Sequence, residues 1–256
     1  VESANFERDE LKIRVFNTRE EMGRAAAEEA TERIKRLIKK NGAATLVFAA
    51  APSQNEFLKY LRKSDTDWTK VRAFHMDEYI GLPRDAPAGF GNFLRRAIFD
   101  KVELKEIHYL WNGSDSAEKA CEKYEKILKK YPPDLVFLGV GENGHLAFND
   151  PPVADFNDPK GVKIVKLDNI CRMQQVNDGC FNSIDEVPTH AITLTMSAII
   201  RIPEAIAIVP GIKKAGAIDR MLNGAISTSC PASILRQHKN TTLYLDADSS
   251  SLVLPK

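Results

Sequence analysis

The feature that most limits how this chain can fold is the run Leu135-Val136-Phe137-Leu138-Gly139-Val140. It is too short for a buried helix, and no polar residue alternates along it, so it reads as a strand covered on both faces. Thr45-Leu46-Val47-Phe48-Ala49 has the same character, and Val71 to His75, Ala191 to Thr195, Ala205 to Val209 and Thr242 to Leu245 are strand-like as well. Helical periods lie between these runs. Thr18 to Lys40 places Met22, Ala26, Ala30, Ile34, Leu37 and Ile38 on one face. It opens with Thr18 and Glu21 at capping-box spacing and stops at Gly42. Pro52 and Ser53 open a second helix, and Phe90 to Phe99, Ala117 to Lys130 and Lys213 to Leu222 continue the series. Strands alternating with helices predict an α/β fold, Rossmann-like, with a mostly parallel sheet carrying helices on both faces. No linker, low-complexity tract or internal repeat interrupts residues 1–256, so a single domain is expected.

Composition narrows the partners. The formal net charge is +1, so no global field recruits nucleic acid or an anionic membrane, and an anionic ligand must be held by local groups. No apolar run approaches the ~20 residues of a membrane helix, and the first residues show no signal-peptide pattern. Cys121, Cys171, Cys180 and Cys230 form no C-x-x-C pair and read as free thiols from a reducing compartment, the cytoplasm. The five histidines show no metal-ligand spacing, so no metal is expected.

In parallel sheets, ligands bind beyond the carboxyl ends of the strands. Three segments therefore carry the expected chemistry: Ala49 to Ser53, His75 to Tyr79 and Gly139 to Pro151, each directly after a strand. The third holds His145, whose ordinary pKa lets it both take and give a proton near neutrality. Asn143 and Asp150 flank it and can fix its tautomer, while glycines such as Gly144 let backbone N–H groups approach a ligand. In the second, Asp77 and Glu78 are adjacent acids on extended chain. They point in different directions, so one can face the crevice while the other makes structural contacts. A carboxylate there can act as a base on a C–H beside a carbonyl.

His75-Met76-Asp77-Glu78-Tyr79-Ile80-Gly81-Leu82-Pro83 resembles the N-M-D-E-Y-x-G-L-P segment of glucosamine-6-phosphate deaminases. Gly139 to Pro151 resembles their G-[IV]-G-x-D-G-H-I-A-F-N-E-P segment. Val187-Pro188-x-x-Ala191-Ile192-Thr193 and Gly211-x-x-Lys214-Ala215 follow in family order. The resemblance implies conversion of glucosamine 6-phosphate and water to fructose 6-phosphate and ammonia by proton transfer alone, without cofactor. It implies that His145, oriented by Asp150, opens the sugar ring, and that Asp77 carries a proton between C2 and C1. Lys214 falls on the family's phosphate lysine, and Ser53 can offer a hydroxyl and an N–H at a helix start. Arg172 is a third candidate donor, although it does not fall cleanly on the family's phosphate arginine. A homo-oligomer is implied by analogy.

Three departures stand out. The phosphate loop reads Ala50-Ala51-Pro52-Ser53-Gln54, and Pro52 has no N–H to donate. Asn143 stands where the family has an acid, and Asp150 is one methylene shorter than the usual Glu. The segment Asp158 to Lys163 is also unlike the family's allosteric segment, so activation by an acetylated amino-sugar phosphate is not expected. Two other readings remain open: a 6-phosphogluconolactonase-like hydrolase, which shares the G-x-G-x-D-G-H loop, and a non-catalytic sugar-phosphate sensor. Met76-Asp77-Glu78-Tyr79 and the continuation Ala147-Phe148-Asn149-Asp150 favour the deaminase over the hydrolase, and retention of both Asp77 and His145 argues against the sensor.

Overall fold

A computed structural model describes residues 2–111, 113 and 116–254 of the chain. The two apolar runs pair side by side: β3 (Ala44–Phe48) and β7 (Leu135–Leu138) are parallel and fully buried. Around them the sheet grows to eight strands. β4 (Val71–His75) and β6 (Glu106–His108) extend it on one side. On the other lie β10 (Glu204–Val209), β11 (Thr241–Asp246), β2 (Leu11–Phe16) and β1 (Glu2–Arg8). Every pairing is parallel except the terminal β1–β2 hairpin.

Side-chain alternation along the buried strands feeds two apolar layers. On one face Leu46, Phe48, Leu135 and Phe137 pack with Met22, Ile34 and Leu37 of α1 (Arg19–Asn41), with Phe57 and Leu61 of α2 (Asn55–Leu61), and with Leu94 of α3 (Phe90–Ala97). On the other, Val47, Val136 and Leu138 meet Tyr124 of α4 (Ala117–Lys130), Ile199 of α6 (Met196–Ile200), and Ile218 and Met221 of α7 (Ala215–Asn223). Helix α1 is bounded as its sequence requires. Thr18 Oγ1 accepts the Glu21 N–H at 3.2 Å, and Gly42, at φ 78°, donates its N–H to Ile38 O.

One strand belongs to a different sheet from the one expected. The segment Ala191 to Thr195 forms β9 (His190–Leu194), which lies outside the main sheet, between β5 (Asp77–Tyr79) and β8 (Val162–Lys166), in a three-stranded antiparallel sheet. That small sheet positions the site. It pairs Asp77 with Thr193, and Thr193 Oγ1 accepts the Phe148 N–H of the Gly139–Pro151 loop at 3.2 Å. Asn149 Nδ2 donates to Leu146 O and Leu194 O, closing the loop against β9. Helix α5 (Asn169–Asn177) is capped by Asp168 and packs behind the loop, where Gln174 Oε1 accepts the Glu142 N–H at 2.9 Å.

Candidate active site

A cavity of about 360 Å³ opens at the carboxyl ends of β3, β4, β7 and β10. Ala49 to Ser53, Met76, Asp77, Gly139 to Glu142, His145 and Lys214 all contribute to its wall, so the three post-strand segments meet in one place.

The adjacent acids divide as extended chain requires. Asp77 lines this cavity and is 6% exposed. Its carboxyl is pushed well above the ordinary carboxylate range, first by burial and then by the charge of Glu78. Met76, Phe90 and Phe148 share the cavity wall with it and supply an apolar surround. Glu78 lines a separate cavity of about 660 Å³ beside α3. Its carboxylate accepts the N–H groups of Tyr79, Phe90 and Gly91 at 2.9–3.0 Å, which ties β5 to the start of α3. Burial raises its pKa and these three donors oppose the rise. Asp77 is thus the acid whose protons can reach a ligand in the first cavity, and Glu78 is a brace.

His75 fixes the backbone at Asp77. Its Nε2 accepts the Leu110 N–H at 3.0 Å, so its Nδ1 carries the proton and donates to Asp77 O at 2.9 Å. Complete burial pushes its pKa down to about 4, which keeps this tautomer neutral.

His145 sits in a tight turn. Gly144 adopts φ 87° and Ala147 φ 50°, a left-handed conformation that costs a non-glycine residue roughly 1–2 kcal/mol. His145 Nδ1 lies 2.7 Å from Asn143 Oδ1 and 2.9 Å from Asp150 Oδ1. Both neighbours are acceptors, so Nδ1 carries the proton and Nε2 is the nitrogen left for exchange with a ligand. Asn143 is itself oriented: its Oδ1 accepts the His145 N–H at 3.1 Å and its Nδ2 donates to Asp150 Oδ1 at 2.9 Å. Burial alone would raise the Asp150 carboxyl; the bond and charge of His145, with the Asn143 amide, outweigh it and hold the pKa below the ordinary value. The imidazole thus has a fixed tautomer and an ionised partner, the arrangement a proton shuttle needs.

Lys214 also lines the cavity. It ends the 3₁₀ turn Ile212–Lys214 ahead of α7, is 8% exposed, and makes no side-chain ion pair among the described residues. Burial lowers its pKa, and the charges of Asp178 and Glu142 oppose that. A buried ammonium without a partner favours an anionic ligand group. Ser53 lies in the turn Pro52–Gln54, its Oγ accepting from Gln54 Nε2 at 3.1 Å.

A model of the family described as glucosamine-6-phosphate isomerases/6-phosphogluconolactonase matches residues 17–244. The chain belongs to this family. Within it, the glucosamine-6-phosphate deaminases of Bacillus thuringiensis (strain Al Hakam) and Bacillus anthracis (strain CDC 684 / NRRL 3495) are each 35% identical over 243 residues, 94% of this chain and 89% of theirs. A solved structure of a monomeric glucosamine-6-phosphate deaminase superposes with a TM-score of 0.85 at 26% identity, covering 94% of this chain and 99% of that one. The 6-phosphogluconolactonase of Trypanosoma brucei shares the fold, with a TM-score of 0.80 at 17% identity, covering 98% and 100%.

Two expected binding residues are absent from the cavity wall. Arg172 does not line the cavity: its guanidinium donates to Ile184 O and Val187 O, bracing α5 against the loop that precedes β9. Gly144 is needed for its geometry, not as a donor. Its N–H is used by Gly141 O at 2.9 Å, and a Cβ on it would lie 2.6 Å from Cys230 Sγ. Residues the sequence did not single out complete the wall, among them Arg19, Gln174, Gln175, Asp178, Lys213 and Asp248. They lie far apart in the chain and only the fold assembles them.

Proposed function

We propose that this member of the family converts glucosamine 6-phosphate and water to fructose 6-phosphate and ammonia. The observation that carries the reading is the pairing in one cavity of a buried, raised-pKa carboxyl, Asp77, with the tautomer-fixed His145–Asp150–Asn143 network. Each supplies a proton transfer that the reaction requires. His145 Nε2 moves a proton from the C1 hydroxyl to the ring oxygen, which opens the ring to the aldehyde. Asp77 takes the proton from C2, leaving an enolamine, and returns it to C1 to give the C2 imine. Water adds at C2 and ammonia leaves, giving the ketose. Lys214, with Ser53 in the same cavity wall, takes the phosphate: the anion meets a buried cation that has no other side-chain partner among the described residues.

The test is to incubate purified protein with a panel of hexosamine phosphates and with 6-phosphogluconolactone, measuring ammonia and ketose phosphate together. Equal release of ammonia and ketose phosphate from an amino-sugar phosphate is expected. Lactone hydrolysis without ammonia would overturn the reading in favour of the lactonase branch, and tight binding without turnover in favour of a sensor.

A cytoplasmic location fits the four cysteines, all of which are unpaired. No described helix is long and apolar enough to cross a membrane. A homo-oligomer is the state that family resemblance suggests, whereas the solved deaminase is described as monomeric. Sedimentation equilibrium decides between them.

A further inference from the structure

Cys171 is a fully buried thiol on α5 that the proposed proton transfers do not use. It stands behind the histidine network: one ligand atom from each of His145, Asp150 and Cys171 lies within 4.8 Å of the others. An independent observation points at the same spot. Asp150 is 1% exposed, its Oδ1 serves both His145 and Asn143, and the one further donor that reaches its carboxylate among the described residues is the Cys171 thiol. A thiol is a weak donor, so a buried carboxylate held by it is a place where a cation can take over the proton's role.

We propose that His145, Asp150 and Cys171 form a site for a borderline-soft divalent cation of the zinc class, and that its occupancy silences His145. Imidazole nitrogen, carboxylate oxygen and thiolate sulfur form a donor set that selects zinc over magnesium or calcium. Three protein ligands leave a fourth tetrahedral position, and because His145 lines the substrate cavity, water or a sugar hydroxyl can fill it. As the cation binds, the thiol loses its proton to solvent, with the metal's charge stabilising the thiolate, and the imidazole passes to the tautomer protonated at Nε2, which frees Nδ1 to ligate and leaves Nε2 unable to accept a proton. No redox step is involved. The ion is an inhibitor by position: it engages the histidine and the carboxylate that must exchange and stabilise a proton. The inhibition rests on the catalytic reading given above; the binding does not.

The experiment uses Co²⁺ as a spectroscopic stand-in on full-length protein freed of metal with EDTA. Titration is expected to produce a thiolate-to-cobalt charge-transfer band that added Zn²⁺ displaces. Cys171→Ser, which keeps the size of the side chain, abolishes the band and weakens Zn²⁺ competition by more than the ~10–100-fold typical of losing an outer partner. Cys180→Ser retains the band. Should Cys171→Ser fail to fold, His145→Gln tests the same site, because the thiol remains and the metal affinity falls. Absence of a thiolate band in the unmodified protein, or its survival in Cys171→Ser, overturns the site. Deaminase assays are run in parallel with stoichiometric Zn²⁺. Full activity with the band present leaves the site standing and overturns the role given to His145. Loss of activity that Cys171→Ser relieves supports both.

Discussion

The imidazole of His145 lies directly over Gly141, so close that a Cβ at position 141 would meet the ring at 2.1–2.4 Å. The Gly141 N–H also donates to His145 O at 3.0 Å, which makes the pair a closed turn and leaves the ring no room to slide. The glycine ahead of the histidine is thus part of how the side chain is aimed.

Gly141→Ala is therefore expected to displace the ring from Asp150 and Asn143. Turnover should fall by at least the ~10² typical of a lost acid–base group, with thermal stability only modestly changed. Gly144→Ala is the contrasting variant. Its Cβ meets Cys230 and its φ of 87° is strained for alanine, so the main effect should be a lower melting temperature. Parallel kinetics and melting curves check both. Full kcat in Gly141→Ala would mean that the ring position is not essential.

Asp77→Asn keeps the shape of the proposed base and removes its charge. kcat should fall by ~10² or more with KM nearly unchanged, whereas Glu78→Gln, which alters the brace of α3, should retain more turnover. Near-native kcat in Asp77→Asn would make another group the base.

The raised pKa of Asp77 also links activity and stability to pH. The base must be ionised, so the acid limb of kcat/KM should lie above the ordinary carboxylate range. Removing the Glu78 charge in Glu78→Gln should move it to lower pH. A carboxyl whose folded pKa is raised contributes stability below its unfolded pKa, ~3.9, and that contribution is lost as pH rises through the folded value. Asp77→Asn should accordingly melt higher than the unmodified protein at neutral pH, the gap closing as pH falls toward 4. A gap that widens on acidification refutes the assignment.

Much of this was legible in the sequence, because the central strands are bounded by their own composition. Leu135 to Leu138 could scarcely be anything but a doubly covered strand, and α4 runs over Ala117–Lys130 as its period indicated. The division between Asp77 and Glu78 follows from strand geometry alone. The hairpin of β1 and β2 was not read, although Leu11, Ile13 and Val15 alternate with Lys12 and Arg14, because β1 itself is largely polar. The small sheet was hidden for another reason. β5 has three residues, and its partner is more than a hundred residues away, so no local pattern records the pairing. Arg172 misled because a guanidinium near a family motif can bind carbonyls as readily as phosphate. Cys171 gave no signal at all until the fold set it beside Asp150.

Lys214→Ala tests the phosphate assignment. A charge-assisted hydrogen bond contributes about 1.5–3 kcal/mol, so KM for the phosphorylated sugar should rise more than ~10-fold. Residual turnover of the unphosphorylated sugar should change much less. Equal losses on both substrates would place Lys214 in the fold or the chemistry instead.

The last prediction concerns Asn143, where the family has an acid. Its amide is not a neutral stand-in for that acid, because Nδ2 donates to Asp150 Oδ1 at 2.9 Å while Oδ1 serves His145. Asn143→Asp replaces that donor with a second carboxylate beside the first. Two carboxylates at this distance cannot both be ionised cheaply, so the Asp150 pKa, now held down by His145 and Asn143, must rise. Since an ionised Asp150 is what stabilises a protonated His145, the acid limb of kcat/KM should move to higher pH in the variant. The stability that the lowered Asp150 pKa supplies above its unfolded value is lost on acidification, and the variant should lose it at a higher pH. Both shifts are measured on one pH series, by initial rates and by melting. A limb and a melting profile that coincide with those of the unmodified protein would show that residue 143 and Asp150 titrate independently.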